Sequence, residues 1–319
     1  MPNTVTVAIP TLNAGPSFAR TLAAVGSQRL EDQDLELLIC DSGSSDETVS
    51  LARSYGAEVI EIPPEQFSHG GTRNLLMSRS RGDHVAFLTQ DAVPAGRDWL
   101  FSLVAAFALA PGVGLAFGPY RPQAGARLSV VRELASWFDS FSDGGPRVDA
   151  LPPAARDAPP RHFMGHLGFF TDVNGCIARA AWERIPFREI AYAEDHLLAQ
   201  DMLRAGFSKV FVPDAAVVHS HDYSAPEWLR RNFDEARAVR EVYGWSLDGR
   251  SATRNLRGGV IGDWRWARER GLASLGSDVS VLWASLLYHG ARACGGWLGG
   301  HADRIPASVV ARLSLERRV

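Results

Sequence analysis

The sequence contains few cysteines and no long uncharged apolar run. Its three cysteines among 319 residues, Cys40, Cys176 and Cys294, lack the spacing of a metal site. A small, odd number of cysteines predicts reduced thiols in a cytoplasmic protein. No window of about 18 residues is apolar enough to span a bilayer, and the first residues lack the basic and apolar regions of a signal peptide. We therefore expect neither a membrane-spanning helix nor a leader.

The sequence also lacks a strong excess of charge of either sign. Its formal net charge is −3, which does not favour nucleic acid as a partner. A hydrophobic content of 46% and a charged content of 22% are typical of a soluble globular protein. The length is sufficient for one large or two ordinary domains.

Two common nucleotide-binding motifs are missing as well. No Gly-x-Gly-x-x-Gly follows the first predicted strand, which counts against a dinucleotide cofactor, and there is no P-loop motif. The first half instead alternates between predicted strands and helices. Strands are predicted at residues 4–9, 35–40, 57–62 and around Phe87, and helices at 16–28, from Asp46 and at 70–79. This alternation predicts an α/β fold with a Rossmann-like, mostly parallel sheet and helices on both faces.

The fourth predicted strand leads directly into a candidate site. Four apolar residues from Val85 to Leu88 run into Thr89, Gln90 and Asp91. Because ligands bind at the carboxyl ends of strands in open α/β sheets, we expect Asp91 to reach a metal or a ligand. The alternative is that Gln90 and Asp91 only cap the following turn.

Two further loops can supply contacts to a nucleotide. Asp41 ends the second strand beside a Gly-Ser-Ser loop, where it can accept hydrogen bonds from a base or a ribose. Gly70 and Gly71 begin a predicted helix, so their backbone N–H groups can face an anion, and Arg73 adds a positive charge for phosphate. The alternative is a plain loop with Arg73 on the surface.

The second half holds carboxylates and histidines at the ends of predicted elements. Glu194 and Asp195 begin a helix, and His219 and His221 lie two residues apart after a strand, so their side chains point the same way. The histidines are either metal ligands or structural, and the carboxylates are either functional or ordinary first-turn charges. We expect a mobile loop at residues 139–162, which are rich in Pro, Gly, Asp and Arg.

Taken together, these stretches resemble the inverting glycosyltransferases of family 2, which have the GT-A fold. More narrowly, they resemble bacterial rhamnosyltransferases of surface-polysaccharide and O-antigen synthesis. The resemblance covers residues 4 to about 225. The residues that carry it are Ile9-Pro10-Thr11-Leu12-Asn13, Asp41-Ser42-Gly43-Ser44-Ser45-Asp46, Phe67-Ser68-His69-Gly70-Gly71-Thr72-Arg73-Asn74, Thr89-Gln90-Asp91-Ala92, Tyr192-Ala193-Glu194-Asp195 and His219-Ser220-His221.

The resemblance implies a role for each of these residues. Asp195 would be the general base, with Glu194 holding the acceptor or orienting the base, and Asp91, His219 and His221 would hold Mg²⁺ or Mn²⁺. The family's Asp-x-Asp motif has Thr89 at its first position, which leaves Asp91 as the only carboxylate ligand from this loop. The residues implied to bind the donor are Thr11, Asn13, Asp41, Ser42, His69, Gly70, Gly71, Arg73, Gln90 and Asp91.

The resemblance also implies the substrates. The donor would be a nucleotide sugar, dTDP-L-rhamnose before other candidates, and the acceptor a glycan or a polyprenyl-linked glycan. The alternatives are transfer of another hexose on the same fold, and an inactive nucleotide- or glycan-binding scaffold subunit. Residues 1–225 would form the GT-A domain, with a nucleotide-binding half at about 1–115 and an acceptor-binding half at about 116–225.

Residues 226–319 are predicted to form a helical C-terminal extension. From Glu227 onward the chain has fifteen Arg against ten Asp and Glu, and Trp264, Trp266 and Trp283 lie among these arginines. Tryptophan with arginine is typical of a segment at a membrane interface, and basic residues favour an anionic leaflet. We therefore expect peripheral association with the inner face of the membrane. The alternatives are packing on the catalytic domain and a contact in a homo-oligomer.

Overall fold

The computed structural model describes residues 3–272 and 278–315. Its main feature is an eight-stranded sheet with the strand order β3-β2-β1-β4-β9-β6-β10-β8. The strands of this sheet are β1 (Asn3–Thr11), β2 (Gln33–Asp41), β3 (Glu58–Glu61), β4 (His84–Leu88), β6 (Val113–Phe117), β8 (Arg147–Asp149), β9 (Asn174–Ala178) and β10 (Ser208–Phe211). Three two-residue strands form a separate small sheet: β5 (Val93–Pro94), β7 (Tyr120–Arg121) and β11 (Val217–Val218).

The large sheet is mostly parallel, as the sequence predicts. Strands β1 to β4 pair in parallel, and β6 and β10 run in the same direction. Only β9, inserted between β4 and β6, and β8, at the edge, are reversed among the described strands. The prediction of an α/β fold with a Rossmann-like, mostly parallel sheet is therefore confirmed.

Helices cover both faces of this sheet. They are α1 (Phe18–Gly26), α2 (Thr48–Ser54), α3 (His69–Arg79), α4 (Trp99–Ala105), α5 (Leu128–Asp139), α6 (Arg179–Trp182) and α7 (Glu194–Arg204). Strand β1 shows the pattern, since Val7 and Ile9 belong to one apolar core with residues of α1 and α4, while Ala8 belongs to a second core with residues of α3 and α7. The central strands are thus buried on both sides, which explains their nearly continuous apolar sequences.

The segment predicted as a mobile loop contains the edge strand β8. Lys209, fully buried in β10, donates to the backbone oxygens of His166 at 2.6 Å and Phe169 at 2.7 Å. Its Nζ atom also lies 3.5 Å from Asp149 of β8. Strand β8 was not predicted, because a three-residue polar strand has no periodic signal and is held by a buried cation distant in sequence. The mobility of the rest of the segment stays a prediction.

The C-terminal extension is helical, as predicted. Its helices are α8 (Ala225–Tyr243), α9 (Gly249–Glu269), α10 (Asp278–Gly300) and α11 (Ala307–Leu313). Helices α8 and α10 approach closely at two glycines of α10. A Cβ atom at Gly295 would lie 2.2 Å from the backbone oxygen of Leu229, and one at Gly299 would lie 2.1 Å from that of Phe233, so a larger residue does not fit at either position. Among the described residues, no helix combines the length and apolar character needed to cross a bilayer.

Candidate active site

The small sheet brings together three residues that are far apart in the sequence. Asp91 precedes β5, and His219 and His221 follow β11, which pairs with β5 and β7. The backbone N–H of His219 donates to the backbone oxygen of Arg121 at 2.9 Å, which fixes the chain where the histidines begin. The strand pairing therefore places both imidazoles beside the Asp91 carboxylate.

The geometry of these three side chains suits a metal ion. One ligand atom from each of Asp91, His219 and His221 lies within 4.8 Å of the others. The Nδ1 atom of His219 is 3.4 Å from Asp91 Oδ1, and the Nε2 atom of His221 is 3.8 Å from Asp91 Oδ2. His219 Nδ1 is buried without a hydrogen-bond partner in the described structure, so a ligand there would satisfy it. We call these three residues the His-His-Asp triad.

The protonation states of the triad also fit metal binding. Burial, together with the charges of His219 and Arg231, lowers the pKa of His221 to about 4 despite the opposing charge of Asp91. Burial raises the pKa of Asp91, but the two histidines oppose this effect and hold the pKa below its usual value. At neutral pH the triad therefore presents a neutral imidazole at His221 and an ionised carboxylate, the forms that coordinate metals.

Tyr120 connects the triad to a second cluster of polar residues. Its ring meets that of His219 edge-on at 5.5 Å, and its hydroxyl forms a hydrogen bond with the Thr171 hydroxyl. The next residue is Asp172, and burial raises the pKa of Tyr120, as do the charges of Asp195 and Asp172. The two clusters are therefore linked through Tyr120, a partly buried residue.

The second cluster is built around the buried guanidinium of Arg73. The Nε atom of Arg73 lies 2.7 Å from Asp172 Oδ2, and its Nη1 atom lies 2.9 Å from Glu194 Oε1. All three side chains are at least nine-tenths buried. Burial raises the pKa of Asp172 well above its usual range, and Asp195 and Glu194 add to this against the opposing charge of Arg73. We call Arg73, Asp172, Glu194 and Asp195 the carboxylate cluster.

Asp195 is the half-buried member of the carboxylate cluster. Its Oδ1 atom accepts from the backbone N–H of His196 at 2.8 Å, and Oδ2 lies 3.4 Å from the backbone nitrogen of Asp172. Arg73 pairs with Asp172 and Glu194, so Asp195 keeps a carboxylate that is accessible in part and not bridged by that arginine. Such a carboxylate can accept a proton from a bound hydroxyl group.

A strained backbone residue sets the direction of this carboxylate. Ala193, the residue before α7, has φ 65° and ψ 33°, in the left-handed region that residues with a Cβ atom rarely adopt. Strained conformations of this kind cluster at functional sites. Here the left-handed conformation of Ala193 directs the start of α7 so that Glu194 and Asp195 face Arg73 and Asp172.

Comparisons with known proteins show the family of this chain. Residues 6–152 match the sequence profile described as glycosyl transferase family 2. Over 239 residues the chain is 32% identical to RfbN of Salmonella typhimurium, an O-antigen chain rhamnosyltransferase, in an alignment covering 72% of this chain and 70% of that protein. The chain belongs to glycosyltransferase family 2. It is also 31% identical over 238 residues to WbaN of Salmonella anatum, another O-antigen chain rhamnosyltransferase, with the same two coverages of 72% and 70%.

Solved structures show the same fold. The mannosyltransferase PcManGT from Pyrobaculum calidifontis, determined in complex with GDP-Man and Mn²⁺, aligns with a TM-score of 0.58 and 17% identity. That alignment covers 94% of this chain and 86% of the other. The glycosyltransferase therefore has a GT-A architecture that includes its C-terminal helices in the aligned length.

The segment predicted to bind phosphate has other contacts in this glycosyltransferase. Ser68 caps α3 by accepting from the Gly71 N–H at 3.1 Å, and a Cβ atom at Gly70 would lie 2.2 Å from the backbone oxygen of Arg188. The glycines thus permit capping and close packing, and the prediction of an open anion site is wrong for Gly71. His69 Nδ1 lies 4.0 Å from Glu194 Oε1, on the side of the carboxylate cluster.

Arg73 likewise has a different environment from the predicted one. The sequence left two possibilities, a phosphate ligand and a surface arginine, whereas the side chain is buried between two carboxylates. Its position in the first turn, unfavourable for the helix dipole, was the only local signal. Asp172 was missed altogether, because an isolated Asp in a loop has no motif and its importance follows from burial beside Arg73.

The residues predicted to contact the nucleoside lie together at the ends of β1, β2 and β4. The Thr11 hydroxyl donates to Asp41 at 2.8 Å, and Asp41 also accepts from the backbone N–H and hydroxyl of Ser44 at 2.8 Å and 2.6 Å. Asp41 is 1% exposed, so it holds the loop in shape and does not present its oxygens to a ligand. Ser42, also buried, donates to the Thr11 backbone oxygen at 3.0 Å.

Asn13 and Gln90 hold the same loops from the other side. Asn13, with φ 46°, accepts from the Ser45 N–H at 2.9 Å. The Gln90 amide accepts from the Leu12 N–H at 2.9 Å and donates to the Leu12 oxygen at 3.2 Å. The Leu12 side chain is left 47% exposed at the strand end. These bonds fix the loops at the carboxyl edge of the sheet, next to Asp91.

Proposed function

We propose that this enzyme transfers L-rhamnose from dTDP-L-rhamnose, with inversion, to a hydroxyl of a glycan or polyprenyl-linked glycan in surface-polysaccharide synthesis in the cytoplasm. The observation that carries the proposal is that Tyr120 links the two clusters: its ring contacts His219 of the triad, and its hydroxyl bonds to Thr171, the residue before Asp172 of the carboxylate cluster. The choice of rhamnose is supported by the similarity to two O-antigen chain rhamnosyltransferases.

The proposed mechanism is a single displacement at the anomeric carbon. The acceptor oxygen forms a bond to that carbon while the bond to the diphosphate oxygen breaks, and Asp195 accepts the proton of the acceptor hydroxyl. Glu194, held by Arg73, orients the acceptor or the base. One base suffices because a single displacement inverts the anomeric centre and forms no covalent intermediate with the protein.

The triad is proposed to hold a divalent cation near the leaving group. An ion bound by Asp91, His219 and His221 would supply Lewis-acid neutralisation of the diphosphate charge. Two imidazoles and one carboxylate suit Mn²⁺ better than Mg²⁺, since Mg²⁺ prefers oxygen ligands. We therefore propose Mn²⁺ as the better of the two ions.

The loops that carry Thr11, Asn13, Asp41, Ser42 and Gln90 are proposed to bind the nucleoside. Asp41 and Gln90 act by holding the loop backbones, and we propose that these backbones and Leu12 contact the base and ribose. The proposed boundaries remain a GT-A domain at residues 1–225 and a helical region at 226–319, with the nucleotide-binding half at about 1–115 and the acceptor-binding half at about 116–225.

A donor panel tests the proposed function. The purified full chain is incubated with an extract of polyprenyl-linked glycans as acceptor and with dTDP-L-rhamnose, UDP-glucose, UDP-galactose or GDP-mannose as donor. Nucleoside diphosphate release is then measured with Mn²⁺, Mg²⁺ or EDTA. We expect release from dTDP-L-rhamnose, faster with Mn²⁺ and abolished by EDTA. Asp91→Ala should lose the metal response, whereas Asp46→Ala, a change in a neighbouring loop, should keep it.

Two results would contradict the proposal in different ways. Release from another sugar nucleotide only would show that the same fold transfers another hexose. Binding of nucleotide sugars without release, in the presence of extracts of the polyprenyl-linked glycans, would indicate a binding scaffold. An unchanged chelator response in Asp91→Ala would remove the metal assignment.

We further propose that the C-terminal region contacts an anionic membrane surface. One face of α10 is exposed at the helical spacing of an interfacial segment, and Trp283 on it is 62% exposed. The residues of this face are Val279, Leu282, Trp283, Leu286 and Leu287. Arg265, Arg268 and Arg270 are exposed on or just after the neighbouring helix α9 and supply the positive charge.

Co-sedimentation with liposomes tests this contact. We expect the full chain to sediment with anionic phosphatidylglycerol vesicles at low salt, and the double variant Trp283→Ser/Leu287→Ser to remain in the supernatant. Tyr55→Ser, which removes a 43% exposed aromatic residue elsewhere, is the control. Equal recovery of all three proteins in the supernatant would contradict the proposal, and a change of oligomeric state in the double variant would assign this face to a contact between copies.

A further inference from the structure

The two histidines of the His-His-Asp triad are held in different ways. His219 directly follows β11, its backbone N–H donates to the backbone oxygen of Arg121, and its side chain is 10% exposed. His221 lies two residues further, in a segment at 219–224 without regular secondary structure, and its side chain is 39% exposed. The orientation of the His221 ring therefore depends more on side-chain packing than that of His219 does.

An aromatic ring covers one face of the His221 imidazole. The Tyr223 ring is stacked on it, with the ring centres 4.8 Å apart and the planes inclined by only 7°. The ring of His219 is also 4.8 Å from that of His221 but nearly perpendicular to it, at 86°. Because offset stacking is a preferred geometry for two aromatic rings, tilting the imidazole away from Tyr223 would lose this contact. Tyr223 therefore fixes the plane in which the nitrogen atoms of His221 lie.

The stacked phenol ring also favours the metal-bound form of the imidazole. The face of an aromatic ring carries partial negative charge and attracts cations. An imidazole that donates a lone pair to a divalent ion takes up part of the positive charge of that ion. Its attraction to the face of Tyr223 is then stronger than that of a free imidazole, so the stacking both orients His221 and stabilises it as a ligand.

Tyr223 is in turn attached to the helical region. Trp228, on the first turn of α8, meets the Tyr223 ring edge-on with the ring centres 5.2 Å apart, and Tyr288 of α10 meets Trp228 edge-on at 4.9 Å. Tyr288 is 3% exposed, and its hydroxyl donates to Glu133 Oε2 of α5 at 2.8 Å. A continuous row of rings thus runs from buried Tyr288 to a residue of the triad. We call Tyr223, Trp228 and Tyr288 the aromatic row.

We propose that Tyr223 is a positioning residue for His221, and that the aromatic row makes the affinity of the triad for a divalent cation depend on the helical region. The inference rests on the metal site of the proposed function and extends it, since it adds side chains of α8 and α10 to the support of that site. Residues that orient metal ligands typically contribute about 10- to 100-fold in metal affinity. Here the orienting contact is a stacked ring.

Binding of Mn²⁺ by matched variants tests this assignment. MnCl₂ is titrated into the full chain, with and without dTDP, and the free Mn²⁺ is measured by electron paramagnetic resonance. We expect Tyr223→Leu to bind Mn²⁺ about 10- to 100-fold more weakly than the parent. Tyr223→Phe should recover most of this loss, because phenylalanine keeps the stacked ring and lacks only the hydroxyl.

A second pair of variants tests whether the dependence extends into the helices. Trp228→Leu should weaken Mn²⁺ binding in the same direction as Tyr223→Leu but by less, because the stacked ring remains and only its support is lost. Trp297→Leu is the matched control, since it removes a tryptophan of α10 whose ring packs on His301, outside the aromatic row. Its affinity for Mn²⁺ should equal that of the parent.

Thermal unfolding without added metal separates positioning from folding. A variant that unfolds at the temperature of the parent but binds Mn²⁺ more weakly has lost the position of a ligand. Tyr223 is only partly buried, so we expect Tyr223→Leu to meet this condition. If it unfolds earlier, Tyr223→Met provides the comparison, because methionine retains more of the packing contact and has no aromatic face.

The possible failures are distinguishable. If the parent binds Mn²⁺ and Tyr223→Leu binds it equally well, the inference is wrong and the proposed metal site stands. If Tyr223→Phe loses as much as Tyr223→Leu, the hydroxyl acts in place of the stacked ring and the inference is also wrong. If Trp228→Leu loses no more than Trp297→Leu, the dependence on the helical region is wrong. If the parent binds no Mn²⁺ with or without dTDP, both the inference and the proposed metal site are wrong.

Discussion

Replacing Arg73 by methionine should leave the carboxylates of Asp172 and Glu194 without their counterion. Methionine fills much of the same space without a charge, so Asp172 and Glu194 would face each other in a buried site with no counterion. Removing one partner of a buried ion pair costs about 3 to 5 kcal/mol. We therefore expect Arg73→Met to lower the free energy of unfolding by about that amount at neutral pH.

The pH dependence of this loss follows from the raised pKa of Asp172. Burial already raises that pKa well above its usual range, and loss of the Arg73 charge would raise it further. The folded state then keeps a proton that the unfolded state releases, so its stability falls as pH rises above the ordinary value for Asp. For one proton the slope reaches about 1.4 kcal/mol per pH unit. The difference between parent and variant should therefore grow with rising pH and shrink with falling pH.

Urea unfolding followed by tryptophan fluorescence, at several pH values, measures both effects. Arg79→Met is the matched control, because Arg79 is exposed at the other end of the same helix. The double variant Arg73→Met/Asp172→Asn should recover part of the lost stability and flatten the pH dependence. If Arg73→Met costs no more than Arg79→Met, with the same pH profile, then Arg73 does not carry the charge of the carboxylate cluster and this reasoning fails.

Three further predictions concern other residues. Asp195→Asn should lower transfer by about 10²- to 10⁴-fold while dTDP binding measured by calorimetry is kept, and turnover within tenfold of the parent would exclude the general base. Ala193→Gly should raise the free energy of unfolding in urea by up to about 1 kcal/mol, because glycine adopts the left-handed conformation without strain; a loss would contradict this. Asp263→Ala should lower the free energy of unfolding in urea by about 3 to 5 kcal/mol. Buried Asp263 accepts hydrogen bonds from Ser129 and Ser285 and forms ion pairs with Arg132 and His289, and the substitution removes all of these. Burial raises the pKa of Asp263, but these partners lower it more, so its contribution should be present above the ordinary pKa of Asp and lost as pH falls.

The first half of the fold could be predicted from local sequence. Apolar runs such as Val85–Leu88 report burial on both faces, and their alternation with helical segments leaves few possible topologies. The reversed strand β9 and the edge strand β8 could not be predicted in this way. The pairing and direction of these strands depend on neighbours brought together by the rest of the chain, such as β4 and β6 on either side of β9 and Lys209 beside Asp149 of β8.

The sequence also indicated which residue types belong to the candidate site. Asp91, His219 and His221 were expected as a set, and the structure brings them within 4.8 Å of one another. Their metal binding stays a prediction, as does the role of Asp195. Motif and spacing could predict which residues belong to the site, because each of these residues lies at the end of a strand or at the start of a helix.

The partners of each charged side chain were decided only by the tertiary structure. Arg73 had the same sequence context whether it faced phosphate or carboxylate, and burial of Asp172 and Glu194 beside it determined the outcome. In the same way, Asp41 turned inward because Thr11 and Ser44 satisfy its oxygens. A sequence determines where polar groups occur and which elements carry them. Electrostatic pairing acts through space between residues about a hundred positions apart, so only the folded chain decides which groups neutralise each other and which remain to meet a substrate.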